Sequence, residues 1–468
     1  MSSYKLLIGG ELHDGDATLD VVNPATAQIL ATCQRASAAQ LDEAVAAAKQ
    51  AFPGWAALPL DARRQCLQAI ADTIDANQAE LARLLTQEQG KPLADAMAEV
   101  GATAGFFRYC AGRELPVRII ADDAAALVEA HRQPLGVVGA IIPWNYPISL
   151  LGFKLPGALL AGNTVVVKPA PTTPLTTLRL GELIADRVPP GVLNIISDAN
   201  DLGGRLSAHP EVRKISFTGS CQTGKRVMSA AADTLKRLTL ELGGNDAGIV
   251  LEDVDPARVA RGVFASAFEN NGQVCIALKR LYVHDAVYEA LCAELAGLAE
   301  GAVVGDGLEP GTELGPLQNR KQFEKVLEFA ENARENGRII AGGSSLDRSG
   351  FFMQPTIVRD ISDGCRLVDE EQFGPILPVI RYRDVDDAVT RANASPYALG
   401  GSVWSADLDR ARQIACRMSC GTTWVNKHAE IRPDIPFGGA GQSGIGTELG
   451  DEGLLEFTQL KVVSVAKS

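Results

Sequence analysis

From Gly136 onward the sequence alternates between two textures. Gly136–Ile142, Thr164–Lys168, Val192–Ile196 and Lys214–Phe217 are short β-branched runs that read as strands, with helical segments at Ile148–Leu160 and Leu175–Asp186 between them. A second block repeats the pattern. It has a strand at Ala247–Leu251, a helix at 256–270, a strand at 279–284, and helices at 285–299 and 319–336. Strands follow near 376–382, 400–404 and 421–426, with helices at 384–393 and 407–418. Strands alternating with helices at this spacing require a parallel sheet covered by helices on its faces, so the fold class is α/β. At 468 residues the chain exceeds a single core, and two or three domains are expected.

The segments outside this pattern read differently. Residues 1–36 carry short strands and turns. A helix begins at Ser37, where Ser37-x-x-Gln40 has the capping-box spacing ahead of Leu41, Ala44, Val45 and Ala48. Helices follow at about 60–75 and 77–89, Gly90-Lys91-Pro92 stops the second, and another fills about 93–112. In 115–133 β-branched and charged residues alternate without a helical face, which predicts a strand excursion. Phe437 to Gly446 is glycine-rich and reads as a loop, and Lys461–Ala466 as a terminal strand.

Charge and cysteine usage narrow the function. A formal charge of −13 argues against a nucleic-acid partner, because neutralising phosphates takes clustered Lys and Arg. No apolar run reaches membrane-spanning length, and Leu6-Leu7-Ile8 is too short for a signal-peptide core. Nine cysteines without a CxxC pair point to a reduced, cytoplasmic protein with no metal site; Cys416 and Cys420 share only a helical i, i+4 spacing.

Three stretches carry chemistry. Cys275 ends Phe268-Glu269-Asn270-Asn271-Gly272-Gln273-Val274-Cys275, Glu241 opens Glu241-Leu242-Gly243-Gly244-Asn245, and Asn145 sits in Pro143-Trp144-Asn145-Tyr146-Pro147. A lone cysteine is most often an inert apolar filler, a strand-end Glu a solvated or paired carboxylate, and a turn Asn a partner of its own backbone. Together they supply a thiol nucleophile, a base and an amide donor for an oxyanion. Between a strand and a helix, Phe217-Thr218-Gly219-Ser220-Cys221-Gln222-Thr223-Gly224-Lys225-Arg226 offers backbone N–H groups to a phosphate. It nearly matches a nucleotide P-loop, but Arg226 stands where the Mg²⁺-binding hydroxyl belongs, and GxGxxG is absent.

The order and local sequences of these stretches closely resemble the aldehyde dehydrogenase superfamily, from about Asn23-Pro24-Ala25 to the C-terminus. The resemblance implies a Rossmann-like NAD(P)-binding domain (1–114 and 134–243), a catalytic domain (244–443) and an oligomerisation arm (115–133 and 456–468) joining a homodimer or homotetramer. It implies Cys275 as nucleophile, Glu241 as base, Asn145 as oxyanion donor and Glu448 as a proton relay. For NAD or NADP it implies Ile142, Pro143, Trp144, Lys168, Ala170, Pro171, Phe217, Gly219, Ser220, Thr223, Gly224, Leu242, Glu371 and Phe373. For the aldehyde it implies a tunnel with Tyr146, Phe153, Glu269, Ile431 and Phe437.

The implied reaction is oxidation of an aldehyde to its acid through a Cys275 thiohemiacetal and thioester, then hydrolysis. A CoA-acylating relative and a non-catalytic protein on the same fold are the alternatives, and Glu241 argues against the first. Phe153 stands where some semialdehyde-specific relatives carry Arg, so an apolar, aromatic or hydroxylated aldehyde is expected. Glu269 disfavours anions if it faces the tunnel, and His428 and Arg432 fall on the loop expected to cap it. Pro171 replaces a Glu common in NAD-selective members, leaving Lys168 to meet ribose or phosphate, so NADP is expected to be used at a rate within reach of NAD.

Overall fold

A computed structural model describes residues 4–467. Two sheets dominate it. The first has eight strands in the order Glu11–His13, Leu6–Ile8, Leu193–Ile195, Thr164–Lys168, Val137–Ile141, Val212–Thr218, Arg237–Glu241 and Gly444–Ile445. Its five central strands are parallel, and the flanking ones join antiparallel. The chain winds outward from Val137–Ile141 in one direction, then returns to lay Val212–Thr218 on that strand's other side. Beyond the strand ends, such a reversal leaves a crevice between the diverging connections, and ligands of open α/β sheets bind there.

The second sheet orders its strands as Arg338–Ala341, Thr356–Arg359, Ile376–Tyr382, Leu278–His284, Asp246–Val250, Gly400–Trp404 and Thr422–Val425. All its pairs are parallel except the first. A third, antiparallel sheet joins Arg118–Asp122, Ala126–Pro134 and Thr458–Ala466. The strand excursion therefore exists, and its partner is the terminal strand. Ile119, Leu460, Val462 and Val465 on this sheet are about half exposed.

Local signals were accurate where the physics is local. Ser37 accepts from the Gln40 amide while Gln40 accepts from the Ser37 N–H, completing the capping box on the helix Ala38–Ala57. Gly90 ends the helix Gln78–Gln89 at φ 103°. The expected loop at 437–446 is corrected: Ala440–Gly441 pairs with Tyr397–Ala398, and Gly444–Ile445 caps the edge beside Leu240–Glu241. The expected helix at 256–270 stops at Phe268, because Glu269 leaves helical backbone at ψ 136° and Asn270 and Asn271 adopt left-handed backbone.

Candidate active site

Cys275 lies between the helix Pro256–Phe268 and the strand Leu278–His284, after three consecutive left-handed residues. Asn270, Asn271 and Gly272 have φ of 48°, 56° and 72°. Asn tolerates this region through local polar bonds, and Gly without strain. Gly272 is also forced by space, since a Cβ there would stand 2.2 Å from the Gly374 carbonyl oxygen. The turn is clamped on every side. Asn270 Nδ2 donates to the Asn145 carbonyl at 3.0 Å, and Asn271 Nδ2 to the Gly315 carbonyl at 2.9 Å. Buried Lys279 donates to the Gly374 carbonyl at 2.8 Å.

Two cavities meet at this cysteine, and Asn145 and Cys275 line both. The larger, about 350 Å3, is a tunnel whose apolar wall includes Phe106, Leu150, Phe153, Val274, Ile276 and Phe437. Its charged lining residues are Asp95, Glu99 and Glu269, with no Lys or Arg among them. Glu99 is neutralised behind the wall by Lys91 and by the Ile148 and Ser149 amides. Glu269 stands exposed at the rim, where it accepts from the Tyr146 hydroxyl at 2.6 Å.

The smaller cavity, about 170 Å3, is a cleft at the first sheet's reversal point. Pro143 and Trp144 follow one diverging strand, and Gly219 and Ser220 the other. Ser220 caps the helix Cys221–Ala231, leaving N–H groups at the cleft for an anion. Trp144 meets Phe373 edge to face at 5.3 Å between ring centroids. Opposite, Glu371 accepts from the Gly244 amide at 3.0 Å, and a Cβ on Gly243 would lie 2.4 Å from its carboxylate. A cleft of backbone amides, flat rings and a hydroxyl-accepting carboxylate fits a dinucleotide.

Behind these cavities lies a buried ionic cluster. Lys154 donates to Thr218 Oγ1 at 2.7 Å and pairs with Glu448, and both ions are almost wholly buried. Glu241 is 2% exposed and neither of its carboxylate oxygens has a hydrogen-bond partner; the Gly439 amide faces it without completing a bond. Burial first, then the Glu448 charge, raises its pKa well above the ordinary carboxylate value, and Lys154 opposes the rise. Burial also pushes the Cys275 thiol up, followed by the fields of Glu241, Asp246 and Glu371, so a base must help to form the thiolate. Glu371 is pushed up to about 7 by burial, with the Gly244 amide and two lysines opposing.

The two cavities take in some of the expected site residues and leave out others. Lys168 does not line the cleft: it is 3% exposed and donates to Asp198 at 2.7 Å, a partner thirty residues away. Ile142, Ala170, Pro171, Phe217, Thr223 and Gly224 also lie outside the cleft lining. Phe217 sits beneath Gly219, where a Cβ would stand 2.6 Å from its ring, and Gly224 packs on Leu242. Glu241 and Glu448 line neither cavity. Tyr146, Phe153, Glu269, Ile431 and Phe437 all line the tunnel. His428 does not; it is buried behind the tunnel, with Nε2 2.8 Å from the Ile276 carbonyl, and Arg432 is outside the lining as well. Sequence reasoning missed Gln322 and Lys325 in the cleft, which share one face of the helix Arg320–Asn336. Their i, i+3 spacing was the only signal.

A thiol between a dinucleotide cleft and an apolar tunnel defines a cofactor-dependent enzyme with a cysteine nucleophile. Residues 12–463 match the model of the aldehyde dehydrogenase family, and the chain belongs to that family. It is 40% identical to phenylacetaldehyde dehydrogenase of Pseudomonas fluorescens, over 99% of this chain and 96% of that protein. The structure of the aldehyde dehydrogenase of Bacillus cereus in complex with NAD+ superposes with a TM-score of 0.98 at 36% identity, covering 100% of this chain and 97% of that one. An NADP-dependent enzyme of E. coli superposes with a TM-score of 0.96 at 35% identity, covering 99% and 98%. The protein is an α/β enzyme that oxidises aldehydes with NAD(P)+. No helix among the described residues is long and apolar enough to cross a membrane.

Proposed function

We propose that aldehyde oxidation here is hydrolytic, with Cys275 as nucleophile, Asn145 as oxyanion donor, Glu241 as base and Glu448 as its proton relay. The observation that carries this reading is the shared wall: one thiol and one amide face both tunnel and cleft. Cys275 Sγ adds to the aldehyde carbon at the tunnel's end. Asn145 Nδ2 carries two N–H bonds and spends one on the Gln273 carbonyl at 3.0 Å, which leaves the other for the oxyanion beside the Cys275 N–H. Trp144, Gly219, Ser220, Leu242, Glu371 and Phe373 hold NAD(P)+, which supplies a hydride acceptor. Glu241 then takes a proton from the water that cleaves the Cys275 thioester, and its buried, unpaired carboxylate supports that role.

The substrate is an apolar, aromatic or hydroxylated aldehyde. The aromatic tunnel wall supports the body of that molecule, and the Tyr146–Glu269 pair supports a hydroxyl at the rim. The relative that acts on phenylacetaldehyde supports an aromatic substrate. With Lys168 committed to Asp198, that lysine is not free to meet a 2′-phosphate, so we infer acceptance of both cofactors without strong selection for a 2′-phosphate. Residues 1–114 and 134–243 act as the cofactor domain and 244–443 as the catalytic domain. The arm of 115–133 and 456–468, with free edges and half-exposed apolar side chains, pairs copies into a homodimer or homotetramer. Nine free thiols support a cytoplasmic setting. Product analysis tests the reading: acid and NAD(P)H form in equal amounts from aldehyde, NAD(P)+ and water without CoA, and a requirement for CoA overturns it.

A further inference from the structure

Four carbonyls in a row, from Glu371 to Gly374, each accept a hydrogen bond from a side chain. Lys325 Nζ donates to the Glu371 carbonyl at 2.8 Å, and Gln322 Nε2 to those of Gln372 at 2.8 Å and Phe373 at 2.9 Å. Lys279 Nζ donates to the Gly374 carbonyl at 2.8 Å. This segment carries the cleft residues Glu371 and Phe373, and Phe373 stands at φ 54°, a backbone region that bulky side chains avoid. Strain of that kind persists where the surroundings over-determine it, and it gathers at ligand sites. Three of the four bonds come from the helix Arg320–Asn336, which borders the same cleft. The fourth comes from elsewhere.

Lys279 is the second residue of the strand Leu278–His284 and stands four positions after Cys275. It is 1% exposed, and among the described residues the Gly374 carbonyl is the only hydrogen-bond partner of its Nζ. A buried amine with one acceptor is a costly way to fill space, and an apolar side chain of that length would pack there at less expense. Its position supplies a reason. A Cβ on Gly272 would lie 2.7 Å from Lys279 Nζ and 2.2 Å from the Gly374 oxygen, so the nitrogen sits where the cysteine turn abuts the cofactor segment. Gln372 Nε2 answers across the same junction, 3.5 Å from the Lys279 carbonyl. Burial lowers the Lys279 amine to about 7, against the fields of Glu371 and Asp246, and both of its protonation states keep an N–H for the carbonyl.

We propose that Lys279 is a positioning residue for hydride transfer, pinning the Glu371–Gly374 segment to the chain that carries Cys275. The inference rests on the reading of Cys275 as nucleophile and of the cleft as the cofactor site. In the oxidation step the tetrahedral oxyanion on Cys275 collapses: the C–H bond breaks, a C=O bond forms, the carbon is oxidised to the thioester, and the hydride passes to NAD(P)+, which is reduced. The donor carbon hangs from the cysteine turn, and Glu371 and Phe373 line the cleft that holds the acceptor. The gap between them depends on how the two segments are joined. Gln322 and Lys325 fix the cofactor segment to its helix, and Asn270 and Asn271 fix the turn to Asn145 and Gly315. Lys279 Nζ makes the short bond from one segment's side to the other. A misplacement of about 1 Å at a reacting centre costs up to about a hundredfold in rate.

The test compares two reactions of the full-length enzyme at Cys275. 4-Nitrophenyl acetate, without cofactor, acylates the thiol with no hydride moved, whereas phenylacetaldehyde with saturating NAD+ acylates it only through hydride transfer. Lys279→Met should lower the NADH burst about tenfold more than it lowers ester acylation, and deuterium at the aldehyde carbon should slow that burst more than in the wild type. NAD+ affinity, read from Trp144 quenching, should stay near the wild-type value. The fluorescence lifetime of NADH bound without aldehyde should shorten as the ring gains motion. Equal losses in both reactions, a burst at the wild-type rate, or an unchanged NADH lifetime overturns the pin. Ester labelling of Cys275→Ala as fast as the wild type defeats the nucleophile reading and the pin with it, whereas failure of the pin alone leaves labelling confined to Cys275. Lys279→Gln, one bond shorter, repeats the test with the same outcomes if Lys279→Met does not fold.

Discussion

The tunnel and the cleft share a wall at Cys275 and are built on different principles. The tunnel is made of side chains, Phe106, Phe153, Val274, Ile276 and Phe437 around its length and carboxylates at its mouth. The cleft adds backbone to its side chains: Gly219, Gly243 and the N-terminus of the helix Cys221–Ala231 stand among Asn145, Gln322, Lys325 and Glu371. A side-chain wall changes its selectivity with each substitution, whereas a backbone wall holds one shape through many. The tunnel is therefore where this chain's individuality resides, and the cleft is where it conforms to its family.

The largest test of that contrast removes the shared wall. Cys275→Ala should cut aldehyde oxidation by at least about a thousandfold. NAD binding, read from quenching of Trp144 in the cleft, should stay near the wild-type value. Loss of both would mean that the two cavities do not work separately. Next, Glu241→Gln should give one burst of NAD(P)H and then a steady rate lower by about a hundredfold. Undiminished turnover in stopped-flow traces would remove the assigned role.

Smaller effects distinguish the two sides. Glu371 holds hydroxyls best when ionised, and burial brings it to about 7. NAD affinity should thus be full above that pH and weaken as pH falls through it. Glu371→Gln should weaken binding about tenfold, flatten the pH profile and leave the aldehyde KM alone. On the tunnel side, the mouth carboxylates should make succinate semialdehyde a poorer substrate than phenylacetaldehyde by kcat/KM. Glu269→Gln should narrow the gap about threefold, and less so at high salt, as expected for an exposed charge. The smallest shift belongs to Asp198→Asn, which frees Lys168 and should move kcat/KM toward NADP by about twofold. A wild-type preference for NAD above about a thousandfold (~4 kcal/mol) would defeat the reading of the adenosine end.

Sequence carried the fold where one segment's own chemistry decides the outcome. Thr164–Lys168, Ile376–Tyr382 and Gly400–Trp404 appear as strands at the residues read from their apolar runs. The tunnel residues were legible because the resemblance transfers side chains, and side chains make that wall. What was not legible depends on distant segments meeting. Nothing near Lys168 announces Asp198, so the lysine read as free. Glu448 gives no local sign that it is buried against Lys154, across 294 positions of sequence. Gly444–Ile445 is a strand only because the Leu240–Glu241 edge lies beside it.

That last pairing affects how the protein must be made. Glu241 sits on a strand whose outer edge stays open until Gly444 arrives, about two hundred residues later in synthesis. At ordinary elongation rates the wait is roughly 10–40 s. The partner of Ala126–Pro134 comes later still, with Thr458–Ala466. For much of its birth the nascent chain therefore displays two unpaired β edges, the kind of template that recruits neighbouring chains. Yield in a cell will depend on translation speed and chaperone supply over the second half of the message more than on the stability of the finished enzyme.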